Sequence, residues 1–242
     1  VTGETTPATP PPIRAIAFDA YGTLFDVYSI ASLAEELFPG SGPRLAELWR
    51  ERQIEYSRIR TLCDRYRDFW EVTRDALEFA CERLGLELTS TAAARLMGQY
   101  ARLAPFPENL GVLRRLRERR IPLAILSNGT VAMVASAISS AGMDGLFDHL
   151  LSVDSVRRFK TAPEAYELGP QAFGCAAGEI LFVSSNGWDA CAATWFGYTT
   201  LWVNRPGLPL ERLGVKPTTE GRTLDDVLRF VGDPKGGSAY PP

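Results

Sequence analysis

Five short apolar runs, each followed by a polar turn, constrain this chain more than any other feature. They are residues 14–18, Leu123-Ala124-Ile125-Leu126, His149–Val153, Ile180-Leu181-Phe182-Val183 and Thr199–Val203. The first lacks polar alternation, the mark of a strand buried on both faces. Helical spacing fills the intervals over 108–120, 130–141, 163–173 and 188–196, with a last stretch near 223–231. Such alternation predicts an α/β fold, a parallel sheet with helices on both faces.

Between the first run and the rest, from about residue 28 to 104, the rhythm is helical throughout. Ser29–Leu37 forms a short helix stopped by Pro39-Gly40. Pro43 opens a longer one with Leu45, Leu48, Trp49, Tyr56 and Ile59 on one stripe. Near 66–84, Phe69, Trp70, Thr73, Leu77, Ala80 and Leu84 recur at helical spacing before Gly85. Thr89 or Ser90 caps a fourth helix running to Leu103, and Pro105 and Pro107 break it. The expected organisation is a core of residues 13–27 and 105–232 with a helical cap subdomain at 28–104. A disordered Thr/Pro-rich arm (1–12) and a loose tail (233–242) are expected at the ends.

Several function classes are disfavoured. A net charge of -3 without a dense Lys/Arg stripe argues against nucleic acid. Arg114-Arg115-Leu116-Arg117-Glu118-Arg119-Arg120 reads as the solvated face of one helix. No apolar run is long enough to span a membrane, and Val1–Pro12 has no secretory h-region. Cys63, Cys81, Cys175 and Cys191 lack C-x-x-C spacing, which favours a reducing, cytoplasmic setting over zinc or disulfides. The single histidine, His149, lies inside a strand and reads as structural, so no Ser-His or Cys-His apparatus is expected. Phosphate loops of the G-x-G-x-x-G or Walker type are absent.

Polar residues gather at the carboxyl ends of the predicted strands, where open α/β sheets bind ligands. The first strand ends in Asp19, the second in Ser127-Asn128-Gly129, and the fourth in Ser184-Ser185-Asn186-Gly187-Trp188-Asp189; Lys160 follows the third. Taken alone, Asp19 fits a turn-forming residue as well as a nucleophile. With a lysine and several hydroxyl and amide groups at the same rim, it reads as an activated carboxylate nucleophile that Lys160 keeps ionised.

Phe18-Asp19-Ala20-Tyr21-Gly22-Thr23-Leu24, Leu126-Ser127-Asn128-Gly129, Lys160 and Ser184-Ser185-Asn186-Gly187-Trp188-Asp189 together resemble the haloacid dehalogenase superfamily. Order and spacing both fit, over about residues 13 to 231. The resemblance implies a Rossmann-like core with a small helical cap at the insert. Tyr21 stands where the superfamily's phosphatases carry a general acid, and a tyrosine with a pKa of about 10 cannot serve at neutral pH. Ser185 stands where they carry the first of two magnesium-holding acids, leaving Asp189 alone. Phosphoryl transfer is therefore disfavoured. Phe38-Pro39-Gly40, Leu48-Trp49-Arg50-Glu51-Arg52-Gln53, Glu55-Tyr56-Ser57, and Leu151-Ser152-Val153-Asp154 ahead of Phe159-Lys160 resemble the (S)-2-haloacid dehalogenases of the superfamily.

That likeness implies a reaction. Asp19 attacks C2 of an (S)-2-haloalkanoic acid and expels halide with inversion, leaving an aspartyl ester. Water then releases the (R)-2-hydroxy acid, with no metal or organic cofactor. Thr23 and Ser184 orient Asp19, Tyr166 lies near Lys160, and Asn186 and Asp189 position Lys160 and the hydrolytic water. Ser127 and the amides near Tyr21 and Asn128 are candidates for holding the substrate carboxylate; Arg50 and Asn128 receive the halide. Tyr21, Ile54, Phe69 and Trp188 wall the carbon–halogen bond. By spacing alone Arg50 is one of many arginines, Phe69 fits core as well as wall, and Trp188 and Tyr166 fit ordinary packing. A homodimer through the cap helices is also implied. Competing expectations are a phosphatase or phosphonatase on this fold, or a non-catalytic small-molecule-binding protein. The intact polar rim favours an enzyme.

Overall fold

In the structure, a computed structural model, residues 12–232 are described. The expected arm up to residue 11 and the tail from 233 lie outside them. Six strands form one parallel sheet: β1 (Ala15–Phe18), β2 (Leu123–Ser127), β3 (His149–Ser152), β4 (Ile180–Ser184), β5 (Thr199–Val203) and β6 (Thr219–Gly221). Their order is β3-β2-β1-β4-β5-β6. Every residue of β1, β2, β4 and β5 is buried, as their unbroken apolar runs require. The strand order reverses at β1, so the crevice of such a sheet opens beyond the carboxyl ends of β1 and its neighbours. Register fixes who meets there: Phe18 pairs with Ile125 on one side and Val183 on the other.

Four helices separate β1 from the rest of the sheet: α1 (Ala31–Leu37), α2 (Gly42–Leu62), α3 (Phe69–Leu84) and α4 (Ser90–Tyr100). Helices α5 (Asn109–Glu118), α6 (Val131–Ser140), α7 (Pro163–Phe173), α8 (Gly187–Phe196) and α9 (Asp225–Phe230) flank the sheet. Caps set several boundaries. Asp68 accepts from the Glu71 amide at 2.9 Å, which starts α3 at Phe69 and leaves Tyr66 outside it. Thr89, not Ser90, caps α4 by accepting from the Ala92 amide. That helix ends at Tyr100 rather than at Leu103, which is nonetheless fully buried beyond it.

Three other expectations change. Ile59, placed on the buried stripe of α2, is 47% exposed. Val153 lies in a short 3-10 turn after β3. Strand β6, Thr-Glu-Gly, was not anticipated: three residues on a sheet edge need no apolar run. His149 packs edge-on against Phe173 at 5.4 Å, in keeping with a structural role. All four cysteines are free thiols; Cys81 and Cys191 are buried, Cys175 is half-buried and Cys63 is exposed. Among the described residues no helix is long and apolar enough to cross a membrane.

Helices α1 and α2 approach so closely that only a missing side chain fits between them. A Cβ on Gly42 would come within 2.6 Å of the Ala31 carbonyl oxygen and the Glu35 amide nitrogen, both backbone. Glu35 also accepts from the Gly40 and Gly42 amides, at 2.6 and 2.8 Å, and pins the turn. Gly42→Ala should therefore cost roughly 1–3 kcal/mol of stability, the usual penalty of overpacking, read as a lower midpoint in urea denaturation. An unchanged midpoint would show that the two helices separate freely.

Candidate active site

Strand β1 delivers Asp19 to the rim, where it is only 6% exposed. Each oxygen has fixed company. Oδ1 accepts from Lys160 Nζ at 3.1 Å; Oδ2 accepts from Thr23 Oγ1 at 2.8 Å and from Asn186 Nδ2 at 2.9 Å. Thr23 is held in turn, since its hydroxyl oxygen accepts from the Ser185 amide at 2.8 Å. The turn between Asp19 and Thr23 needs Gly22, whose φ of 95° suits glycine.

Behind Asp19 lies a second, fully buried carboxylate. Lys160 Nζ donates to Asp189 Oδ2 at 3.0 Å, and Ser184 Oγ donates to the same oxygen at 3.0 Å. Tyr166 donates its hydroxyl to Asp189 Oδ1 at 2.6 Å. Ser184 also accepts from the Asn186 amide at 3.1 Å, which links the second carboxylate to the residue that touches the first. Burial works against the charge on Lys160, but Asp189 and Asp19 outweigh it and raise its pKa above the ordinary lysine value. Burial also pushes Asp189 upward, against the pull of Lys160. The Tyr166 phenol is driven well above its usual range by burial and by Asp189, so it remains a donor at neutral pH.

On the other side, the Asn128 side-chain oxygen accepts from the Lys160 amide at 2.9 Å, leaving its Nδ2 as a donor. Ser127 Oγ accepts from the Gly129 amide at 3.0 Å, leaving its proton to give. Gly129 is pressed against Tyr21; a Cβ there would come within 2.8 Å of the Tyr21 ring. Tyr21 packs on Phe69 at 5.7 Å and stacks on Tyr100 at 5.6 Å, and its buried hydroxyl has no partner among the described residues. Burial raises its pKa well above 10.0.

From α2, Arg50 reaches across to the core. Its guanidinium donates to the Tyr21 carbonyl at 3.0 Å, to Asn186 Oδ1 at 3.4 Å and to Gln53 Oε1 at 2.8 Å. The sequence did not single out Gln53, Tyr100 or Thr73, although they hold Arg50 in place. The available signal was the spacing of Trp49, Gln53 and Ser57, three buried residues four apart on α2.

The expected wall residues differ in their surroundings. Ile54 is half-buried on α2, its carbonyl accepting from Ser57. Trp188 lies under the Arg58 guanidinium, 4.7 Å from its ring centre. With Arg58, Thr161, Tyr166, Trp195 and Glu211 it lines a cavity of about 710 Å³. The apolar surface beside Tyr21 comes from Phe69, a buried residue that serves core and wall together.

A model of the haloacid dehalogenase-like hydrolases matches residues 13–197. The chain belongs to the haloacid dehalogenase-like hydrolase family. An (S)-2-haloacid dehalogenase from Pseudomonas sp. (strain YL) is 47% identical over 218 residues, covering 90% of this chain and 94% of that protein. The crystal structure of an L-2-haloacid dehalogenase superposes with a TM-score of 0.90 at 60% identity, covering 91% of this chain and 99% of its own. A Xanthobacter autotrophicus L-2-haloacid dehalogenase with chloropropionic acid covalently bound gives a TM-score of 0.85 at 37% identity, covering 92% and 99%. This hydrolase therefore has the HAD-like parallel sheet that its sequence pattern predicts, with one strand more than the five expected.

Removing the cation between the two carboxylates tests the electrostatics of the site. Breaking a buried pair leaves an uncompensated charge and typically costs 3–5 kcal/mol. In Lys160→Met the unpaired carboxylates are relieved by protonation, so the loss of stability should be larger at pH 8 than at pH 5. Urea denaturation at both pH values reads this; an equal loss would mean that the carboxylates share no charge with Lys160. In the wild type stability falls in the same direction, but at higher pH. The raised pKa of Lys160 contributes stability that is complete below the ordinary lysine value of about 10.5 and is lost as pH climbs through the folded one.

Proposed function

We propose that this hydrolase removes halide from (S)-2-haloalkanoic acids and yields (R)-2-hydroxyalkanoic acids, through an ester on Asp19. The observation that carries this reading is the state of the Asp19 carboxylate. Oδ2 accepts two hydrogen bonds and has no lone pair to spare, whereas Oδ1 accepts one and keeps the other. Oδ1 is thus the attacking atom, paired with Lys160, and the carboxylate is fixed against rotation by Thr23 and Asn186.

Ser127 Oγ and the amides near Tyr21 and Asn128 hold the substrate carboxylate and turn C2 toward Oδ1. A new O–C2 bond forms as the carbon–halogen bond breaks with its electron pair on the halide, inverting the centre. Arg50 and Asn128 Nδ2 receive the developing negative charge. Tyr21 and Phe69 exclude bulk water from the carbon–halogen bond. Water then adds to Cγ of Asp19, the alkoxide leaves and is protonated, and one proton is released overall. Ser184, Tyr166 and Asp189 keep Lys160 in place through both steps.

The donor set does not suit magnesium. An ammonium already lies 3.1 Å from Asp19 and 3.0 Å from Asp189, between the two oxygens a divalent ion would need. Among the described residues, no cluster of three or more His, Cys, Asp or Glu could hold a metal. The mechanism accordingly has no metal or cofactor step. We also place the enzyme in the cytoplasm, on its free thiols, and as a homodimer through the cap helices. Leu62 at 85%, Ile59 at 47% and Phe79 at 37% exposure give these helices an apolar outer face.

Purified enzyme should release chloride from (S)-2-chloropropionate and not from the (R) enantiomer, at the same rate with or without EDTA. Asp19→Asn should abolish turnover. A single turnover in oxygen-18 water with excess enzyme should label the Asp19 carboxylate rather than the product. Chelator-sensitive activity, or label appearing directly in the hydroxy acid, would overturn the mechanism. In sedimentation velocity, Leu62→Glu should halve the mass of the particle; a wild-type monomer would remove the dimer from the proposal.

A further inference from the structure

The guanidinium of Arg50 is 9% exposed, yet its hydrogen-bond acceptors are all neutral. Among the described residues no carboxylate lies within salt-bridge reach of it. A buried cation without a counter-charge is costly, and proteins ordinarily pair such groups. Here three N–H groups are taken by neutral acceptors, and no carboxylate is paired with the charge.

Gln53 makes that possible. It is fully buried, one turn along α2 from Arg50. Its Oε1 accepts from Arg50 at 2.8 Å and from the Tyr100 hydroxyl at 3.0 Å, while its Nε2 donates to Thr73 Oγ1 at 2.6 Å. Thr73 has already committed its own proton to the Phe69 carbonyl, at 2.6 Å, so it can only accept from Gln53. The amide therefore has one orientation, with oxygen toward the guanidinium. Trp49 Nε1 donates to the Thr73 carbonyl at 2.7 Å and ties the same turn of α3 to α2. A glutamate would fill the same space and reach the same donors, but it would cancel the charge.

We propose that Gln53 is a positioning residue for anion capture: it aims Arg50 at the crevice while keeping its positive charge available to the departing halide. This rests on the dehalogenase reading above, and it adds that the neutrality of residue 53 sets halide affinity. The decisive variant is Gln53→Glu, with Gln53→Met as a second. Bromide binding to the resting enzyme is read by calorimetry, and halide release from (S)-2-chloropropionate by steady-state kinetics.

Glu at this position should weaken bromide binding at least about tenfold and lower kcat/KM by a similar or larger factor, consistent with the loss of one charged donor. Its thermal midpoint should fall, because a carboxylate oxygen cannot give Thr73 Oγ1 the hydrogen bond that the Gln53 amide supplies; Gln53→Met, which loses the same bond, sets the scale of that structural loss. Met should lose the anchor but not the charge, with a smaller effect on bromide than Glu has. If Gln53→Glu retains wild-type bromide affinity and kcat/KM, the proposal falls while the dehalogenase reading stands. Should Gln53→Glu fail to fold, wild-type values in Gln53→Met would overturn the proposal equally. A wild-type enzyme that binds bromide but releases no halide from either enantiomer would sink the dehalogenase reading instead, leaving the effect of Glu on bromide to decide the role of Gln53. Wild-type protein that binds no bromide overturns it outright.

Discussion

One ammonium group, that of Lys160, is the interaction on which the site depends. It is 1% exposed and bonded to two carboxylates from different strand ends, Asp19 and Asp189. Without it, two like charges would share a buried space, and one would have to take up a proton. With it, each carboxylate has a cation to pair with, and their surroundings sort them into different tasks. Asp189 is enclosed by Ser184, Tyr166 and Lys160 and is fully buried, out of reach of a substrate in the crevice. Asp19 keeps one lone pair facing the crevice. Each carboxylate accepts three side-chain hydrogen bonds, so what separates support from nucleophile is position: Asp189 is fully buried behind the lysine, and Asp19 stands at the rim.

The sheet makes this arrangement rigid. Asp19 and Ser184 follow paired residues of adjacent strands, Phe18 and Val183, so their separation is set by backbone hydrogen bonding rather than by loop conformation. Ser127 closes β2 on the other side of β1. Lys160 comes from a loop, but its backbone amide is tied to Asn128 and its side chain is gripped at the tip. Positions that must be accurate to a fraction of an ångström are thereby carried by strand ends, and the mobile choices are left to the helices inserted after β1.

These two layers were unequally legible in the sequence. Buried parallel strands announce themselves as apolar runs, and the residues that end them are adjacent in sequence to the runs; Asp19, Ser127, Ser184 and Asp189 could be found in that way. Strand β6 could not, because Thr219-Glu220-Gly221 pairs on one side only and needs no apolar signature. Trp188 is expected beside the substrate because it follows a strand end; the Arg58 guanidinium over its ring comes from α2, a tertiary contact with no local signal. Gln53 sits among Glu51, Arg52 and Glu55 and looks like part of a solvated helix face. Its place four residues after Trp49 and four before Ser57 hints at burial, but its partners Thr73 and Tyr100 come from α3 and α4, and no local pattern reports those bonds. Strand-end chemistry is local; cap chemistry is tertiary.

The inserted helices and the sheet meet at Asn186. Its Nδ2 donates to Asp19 and to the Tyr21 carbonyl, while its Oδ1 accepts from Arg50. One side chain therefore touches the nucleophile and the cation that the helices supply. Any movement of α2 that withdraws Arg50 also loosens a hydrogen bond on the residue that restrains Asp19. On the proposed reaction, one negative charge moves from Oδ1, next to Lys160, to the halogen, next to Arg50. Two fixed cations at the start and end of that path stabilise the charge wherever it stands, and neither has to reorganise as it passes. A carboxylate partner for Arg50 would favour the start over the end and raise the barrier between them. The amide at residue 53 is therefore as much a part of the electrostatics as the lysine behind Asp19.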